Sequence, residues 1–588
     1  MRRPAAFALP FLLAATAFAS DRVPGERWLR YTDPAEAGFD QGKLEAARRA
    51  WEDLPSSAFL VVADGAVVAA WGEPDRRFMC HSVRKSLLSA LYGIYWDRGK
   101  IELDKTLADL GLDDTPDPLL PSEKQARIID LLRARSGVFH PAAYAGRTDS
   151  RPRGSQGPGR FFAYNNWDFN TLAAILEQET GARVFEAFDE HFARPLGMQD
   201  FRLSDGYYHY ERDKSRFPAY PFRMSARDLA RFGLLFAREG RWGGERVLSR
   251  DWVRRSAFRE SNDDATWGYG LMWWVAREPR FERHGMFAAT GVGNQMIAVL
   301  PGIDLVIVNR ANTYHGQGTP MSGLLDLVER VLEARTGRAA ASPRLVPLEE
   351  PPADPWRTAV GADRLSAFVG RFSVPAPPLG LPAESAVEIA ARQGHLVGVW
   401  DQGGTFALHL QPDGTLRQED SRDRYFAVRG DGGAIAGIAE VDEIARGALV
   451  AAGDGRDSRA REILALAGDD GSVPIAAAHA VVTLLGGDRE GAERLGRAAT
   501  ARLDVPTVEG AINRAGYRLL QNEKAELARR VFELNTDLFP GSFNTWDSLG
   551  EANLKLGRRE DAARFYERSL ALNPGNRGAR EALDKLRP

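Results

Sequence analysis

The stretch CHSVRKSLLSALYG, Cys80–Gly93, decides how the first half of this chain is read. Val83, Leu87, Leu91 and Ile94 recur at helical spacing, which predicts a helix from about Ser82 with a buried stripe. Ser82 and Lys85 stand three apart, on neighbouring turns of one face. There a lysine amine can reach the serine hydroxyl and, if partly desolvated, accept its proton. The helix N-terminus also favours negative charge developing near Ser82. A plainer reading gives Ser82 only a capping role, since serine is common at helix starts. The surrounding sequence must choose between the two.

Downstream, FFAYNNWDFNTLAAIL carries Tyr164-Asn165-Asn166. A Ser-x-x-Lys opening a helix, followed some 80 residues later by Tyr-x-Asn, resembles the serine β-lactamase and penicillin-binding-protein superfamily. The branch most resembled is the class C group, with its related esterases, D-aminopeptidases and 6-aminohexanoate-dimer hydrolases. Further matches follow in order: WDRGKIELDKTLADLGL, DLLRARSGV, ARPLGMQD, MSARDLARFGLLFAREGRWGGERVLS and TWGYGLMWW. The resemblance covers residues 25–335. It implies that Ser82 is the nucleophile that becomes acylated and that Lys85 helps take its proton. Tyr164 is then general base and later acid, as phenolate or through a hydrogen bond shared with Lys85. Asn166 holds the substrate amide or carbonyl.

The third family motif, usually Lys-Thr-Gly or His-x-Gly on an edge strand, falls on Ala289-Thr290-Gly291 in FAATGVGNQMIAVLP. Thr290 and Gly291 then line the substrate, with Gly291 allowing close approach. The backbone amides of Ser82 and Val292 form the oxyanion hole. Ala289 provides no cation or imidazole to grip a carboxylate, so β-lactam recognition loses its usual support. His140 and His284 read as packed or solvated side chains rather than site residues. No metal-ligand spacing, phosphate-binding loop or dinucleotide fingerprint occurs, and the mechanism requires no cofactor.

Within this region AFLVVADGAVVAAWG reads as a hairpin turning at Asp64-Gly65, and NQMIAVLPGIDLVIVNR as a second turning at Pro301-Gly302. Strands at both ends with helices between predict an α/β (α+β) fold, an antiparallel sheet flanked by helices. Residues 336–362 read as a proline-rich linker. Residues 363–445 carry short period-two runs, HLVGVW, FALHLQ and RYFAVR, expected to form a small antiparallel all-β domain. Residues 455–588 read as helical. Gly516 and Gly550, Ala528 and Ala562, Phe532 and Tyr566, and Pro540 and Pro574 each lie 34 apart. Over 509–586 this region resembles tetratricopeptide repeats.

With 588 residues, 44% of them hydrophobic and 27% charged, the chain has material for several globular domains. A net charge of -3 without long like-charge runs gives no case for a nucleic-acid partner. The opening MRRPAAFALPFLLAATAFAS reads as a signal peptide, residues 1–19, cleaved after Ala17-Phe18-Ala19. The expected protein is therefore exported, most simply to a bacterial periplasm, with no membrane segment remaining. The lone Cys80 cannot form an intrachain disulfide and reads as a small packed residue. The sequence thus predicts an exported serine hydrolase acting on a small ester, amide or peptide-like substrate, as an esterase, amidase or D-amino-acid peptidase. The alternative is a weakly active or inactive scaffold whose repeats recruit a protein partner.

Overall fold

A computed structural model describes residues 22–145, 151–257, 265–351, 361–392, 395–430, 432–468 and 470–586. The expected signal peptide and residues 352–360 of the expected linker lie outside them; within the rest of that linker Leu345–Pro347 forms a strand of the first sheet instead. No helix of the described residues is long and apolar enough to cross a membrane.

The first compact unit is built on a nine-stranded sheet. Its strands are β1 (Leu29–Tyr31), β2 (Ala58–Ala63), β3 (Ala66–Gly72), β4 (Trp267–Tyr269), β5 (Trp274–Ala276), β6 (Phe287–Gly291), β7 (Gln295–Leu300), β8 (Leu305–Arg310) and β9 (Leu345–Pro347). They lie in the order β9-β1-β3-β2-β8-β7-β6-β5-β4. The two predicted hairpins, β2–β3 and β7–β8, pair with each other along Ala58↔Arg310 to Ala63↔Leu305. Asp64 and Gly65 both take positive φ, 48° and 74°, as a tight hairpin turn demands. One pairing departs from the all-antiparallel expectation, since β1 runs parallel to β3 at Arg30↔Val67. The chain returns to β1's neighbour only after the helix Gln41–Glu52 and β2, a crossover rather than a hairpin.

Successive residues of the central strands enter different cores. Leu60, Val62, Ile297, Val299, Val306 and Val308 face one, and Phe59, Val61, Ala298, Leu300, Leu305 and Ile307 the other. That explains why these strands read as unbroken apolar runs: both faces of the sheet are covered. The helices α1 (Gln41–Glu52) and α5 (Met321–Ala334) cover the second face. On the first face lie α2 (Val83–Asp97), α3 (Asn166–Thr180) and α4 (Ala226–Ala237). Helix α2 is buried from Val83 to Tyr95 rather than along one stripe, because it runs through the centre of this core.

In the second unit, seven strands between Gly370 and Glu440 close into a barrel. The expected strands appear at His395–Trp400, Thr405–Leu410 and Arg424–Arg429. Closure is made by the first and last strands, parallel at Ser373↔Gly437. Helices then run from Val441 to Leu586. The 34-residue period is physical. A Cβ on Gly516 would meet the Phe532 ring at 2.4 Å, and one on Gly550 would meet Tyr566 at 2.9 Å. A bare backbone thus receives an aromatic ring in both of these helical hairpins.

Candidate active site

Two residues before α2 the chain leaves the short strand Phe78–Met79 and turns sharply. His81 turns it at a φ of 48°, a left-handed conformation that side chains with a Cβ rarely adopt. Its ring is held on both sides, with Nε2 2.7 Å from Thr313 Oγ1 and Nδ1 3.1 Å from the Tyr144 hydroxyl. Arg310 steadies the approach by donating to Phe78 O at 2.6 Å and Met79 O at 3.2 Å. Burial and the positive charges of Arg310, Arg84 and Lys85 lower the His81 imidazole to about 4, so it is neutral at neutral pH. Cys80 is fully buried, and burial pushes its thiol up, which suits a packed residue rather than a nucleophile.

Ser82 occupies the cap position of α2, yet its side chain makes no capping hydrogen bond. Its Oγ instead lies 2.7 Å from Lys85 Nζ. The same Nζ lies 2.6 Å from the Tyr164 hydroxyl, joining the three residues in one chain of contacts. Lys85 is only 2% exposed, its Nζ packed over the rings of Tyr164 and Phe169 at 4.3 and 4.7 Å. Burial, and then the neighbouring Arg84, hold its amine well below the ordinary lysine range. Tyr164 ends the segment leading into α3 and packs against Trp274 (5.6 Å), Tyr269 (6.0 Å) and Phe169 (5.0 Å). Burial pushes its phenol up to about 12, against the opposing pull of Ser82 and Arg84. A phenol with a depressed lysine amine beside it favours the shared-hydrogen-bond role over a resting phenolate.

Asn166 opens α3 and donates from Nδ2 to the Tyr144 carbonyl at 2.6 Å. The cap of that helix is Asn165, whose Oδ1 accepts from the Asp168 amide. On β6, Ala289 is 1% exposed and packs in the core with α2, whereas Thr290 and Gly291 are half-buried. Gly291 is where the strand meets the nucleophile. A Cβ there would stand 2.6 Å from Cys80 O, 2.9 Å from the Ser82 amide nitrogen and 3.1 Å from His81 Cβ. Val292 follows, 65% exposed. The strand end and the Ser82 amide are thus neighbours, the arrangement an oxyanion hole requires.

His140 is buried and held by the carbonyls of Asp117 (2.8 Å) and Pro141 (3.0 Å), and His284 accepts from Arg283. Neither is brought to Ser82 by any of these contacts. The sequence reading overlooked His81, Tyr144 and Thr313, which meet from three distant segments, and the rings of Phe162, Tyr269 and Trp274 around Tyr164. His81 and Arg84 had a signal: both are polar residues inside the stretch that starts the domain. No group of three or more metal-ligating side chains occurs among the described residues.

The first half of the chain is similar to known proteins. The Beta-lactamase family model matches residues 43–328. A 6-aminohexanoate-dimer hydrolase of Paenarthrobacter ureafaciens is 26% identical over 350 residues, 51% of this chain and 87% of that protein. Among solved structures, a Bacillus anthracis protein described as a 6-aminohexanoate-dimer hydrolase has 18% identity and a TM-score of 0.40, over 53% of this chain and 87% of the other. A penicillin-binding protein from Bacillus halodurans has 17% identity and a TM-score of 0.37, over 49% of this chain and 98% of the other. Residues 43–328 are therefore a Beta-lactamase family-model domain, and the chain is a serine hydrolase.

Proposed function

We propose that this protein hydrolyses a small ester or amide through an acyl-enzyme at Ser82. The observation that carries this reading is the single buried amine of Lys85, 2.7 Å from Ser82 Oγ and 2.6 Å from the Tyr164 hydroxyl. In its neutral form that amine has a lone pair for the serine proton. As the Oγ–carbon bond forms, the proton passes from Ser82 to Lys85, and the carbonyl oxygen becomes an oxyanion facing the Ser82 and Val292 amides. When the carbon–leaving-group bond breaks, the departing nitrogen or oxygen takes that proton through the Tyr164 hydroxyl. Water, deprotonated by the same pair, then attacks the ester. The acid is released and Ser82 regains its hydrogen.

The surroundings favour an uncharged group next to the scissile bond. Ala289 offers no cation, exposed Val292 borders the nucleophile, and half-buried Trp274 and Phe162 extend an aromatic wall from Tyr164. An ester, linear amide or peptide-like fragment fits these features better than a β-lactam with its adjacent carboxylate. The leader-like first 19 residues support export to a periplasm, and the 34-residue repetition supports a tetratricopeptide-like surface for a protein partner.

The test is the intact mass of the protein after exposure to a fluorophosphonate, beside Ser82→Ala, followed by turnover of an ester, amide and D-amino-acid peptide panel. One adduct mapped to Ser82 and absent from the variant, with turnover lost in parallel, is the expected result. A folded protein without adduct or turnover would refute it and leave the scaffold reading.

A further inference from the structure

The site around Ser82 contains an unusual amount of buried positive charge. Arg84, inside the Ser-Val-Arg-Lys stretch itself, is 1% exposed, and Arg310, beneath the nucleophile turn, is fully buried. Neither makes an ion pair among the described residues. Arg84 donates one hydrogen bond, from Nη2 to Asn170 Oδ1 at 3.2 Å, while its Nε and Nη1 have no partner. Its guanidinium lies instead over the ring of Tyr220 at 4.5 Å and near that of Tyr144 at 5.9 Å. A buried cation without a carboxylate is costly. Its presence beside a base therefore invites a chemical reason. The strand that the family resemblance leads one to expect to carry a cation here carries the buried Ala289.

We propose that Arg84 is a positioning residue for the reaction, its buried guanidinium providing from within the first motif, one residue from Lys85, the positive charge absent at Ala289 and acting on the Lys85 amine beside Ser82. The inference rests on the hydrolase reading of Ser82 and Lys85. Arg84 acts through Lys85 and touches no substrate.

The groups that face this pair leave the charge uncancelled. From α3 and the segment before it come Tyr164, Asn170 and Asp168; the Asp168 carboxyl accepts from Ser136 at 2.5 Å, and burial raises it well above the usual carboxylate range. Tyr269 on β4 and Tyr220 are buried phenols shifted upward by burial, and neither offers an anion at neutral pH. His81 and Arg310 contribute no negative charge. Glu211, the carboxylate bonded to the Tyr144 amide, is paired with Lys214 and lies 3.3 Å from His209. Arg84 thus pulls on Lys85, His81 and Tyr164 alike.

The experiment reads Lys85 directly, by NMR titration of lysine labelled with carbon-13 at Cε, its signal assigned with Lys85→Arg. It compares the full-length protein with Arg84→Gln, Arg84→Met and Arg84→Lys, each also in a Ser82→Ala background. The two neutral variants should move the Lys85 midpoint up by about one pH unit, the order expected for one charge within roughly 10 Å at an effective dielectric of about 20. Arg84→Lys should keep it within a few tenths of a unit. The acid limb of kcat/KM should move with the midpoint in the active background. If one neutral variant fails to fold, the other decides. An unmoved midpoint in a folded neutral variant, or an equal rise in Arg84→Lys, would overturn the inference. Because the midpoint is also read in Ser82→Ala, an unmoved midpoint, which overturns this inference, is told apart from loss of activity throughout, which overturns the hydrolase reading on which it rests.

Discussion

Gly291→Ala isolates the contact between the strand and the nucleophile. Gly291 has φ -145° and ψ 168°, extended backbone that alanine adopts freely, so the substitution adds no conformational strain. What it adds is one methyl group facing Cys80 O at 2.6 Å, the Ser82 amide nitrogen at 2.9 Å and His81 Cβ at 3.1 Å. Ordinary contacts with carbon begin near ~3.5 Å, so strand and turn must separate by about half an ångström or more. Two of the three obstructing atoms are backbone, and His81 is already confined by Thr313 and Tyr144, so no side chain can simply swing aside. Overpacking of this kind costs about 1–3 kcal/mol, a melting temperature lower by a few degrees. The catalytic loss should be larger, because the displaced groups bear the two proposed oxyanion donors, the amides of Ser82 and Val292. Losing one such donor lowers kcat by about 10²–10³. Stopped-flow hydrolysis of an activated ester should therefore show kcat falling at least about tenfold with KM nearly constant, at a temperature where the variant is fully folded. A folded Gly291→Ala protein with kcat within about twofold of the parent would refute the oxyanion geometry.

Tyr164→Phe keeps the ring against Trp274 and Phe169 but removes the hydroxyl 2.6 Å from Lys85 Nζ. Steady-state turnover should fall by about 10²–10⁴ with the melting temperature little changed. Lys85→Met should abolish turnover and yet change stability in a pH-dependent way. The folded lysine titrates well below its ordinary value of 10.5, so between those two points the unfolded chain binds the extra proton. The parent should accordingly gain stability relative to Lys85→Met as pH rises through that window, read as urea midpoints; a constant difference would contradict the burial argument. His81 is neutral above about 4, so His81→Gln should lower kcat without moving any limb of the pH profile above pH 5.5. In the helical region, Gly516→Ala pushes a methyl into the Phe532 ring at 2.4 Å and should reduce hydrogen-exchange protection across Val505–Leu538.

What the sequence disclosed was whatever depends on neighbours in the chain. The turn at Asp64-Gly65, the helix from Ser82 and the 34-residue repetition each rest on residues close together, and each appears where expected. What the sequence could not show at Ser82 is that its hydroxyl faces Lys85 rather than the helix amides. Features made by long closures were silent. Pairing Ala58 with Arg310 and holding His81 between Tyr144 and Thr313 join residues that share no local pattern. The parallel pairings of β1 with β3 and of the barrel's end strands were hidden likewise, because alternation specifies a face and not a partner or a direction.

Strands β1 and β9 lie side by side, with Leu29 opposite Pro347 and Tyr31 opposite Leu345. The hydrolase domain therefore begins and finishes about 4.8 Å apart, the spacing of paired strands. A unit whose two ends meet is a natural cassette: it can be spliced into a host chain or circularly permuted without stretching its sheet. New ends cut at the Asp64-Gly65 turn, with the old ones joined by a short linker, would leave the Ser82, Lys85 and Tyr164 triangle untouched. The same closeness makes the edge formed by β9 a place where extra modules can be gained or shed while the chemistry stays fixed.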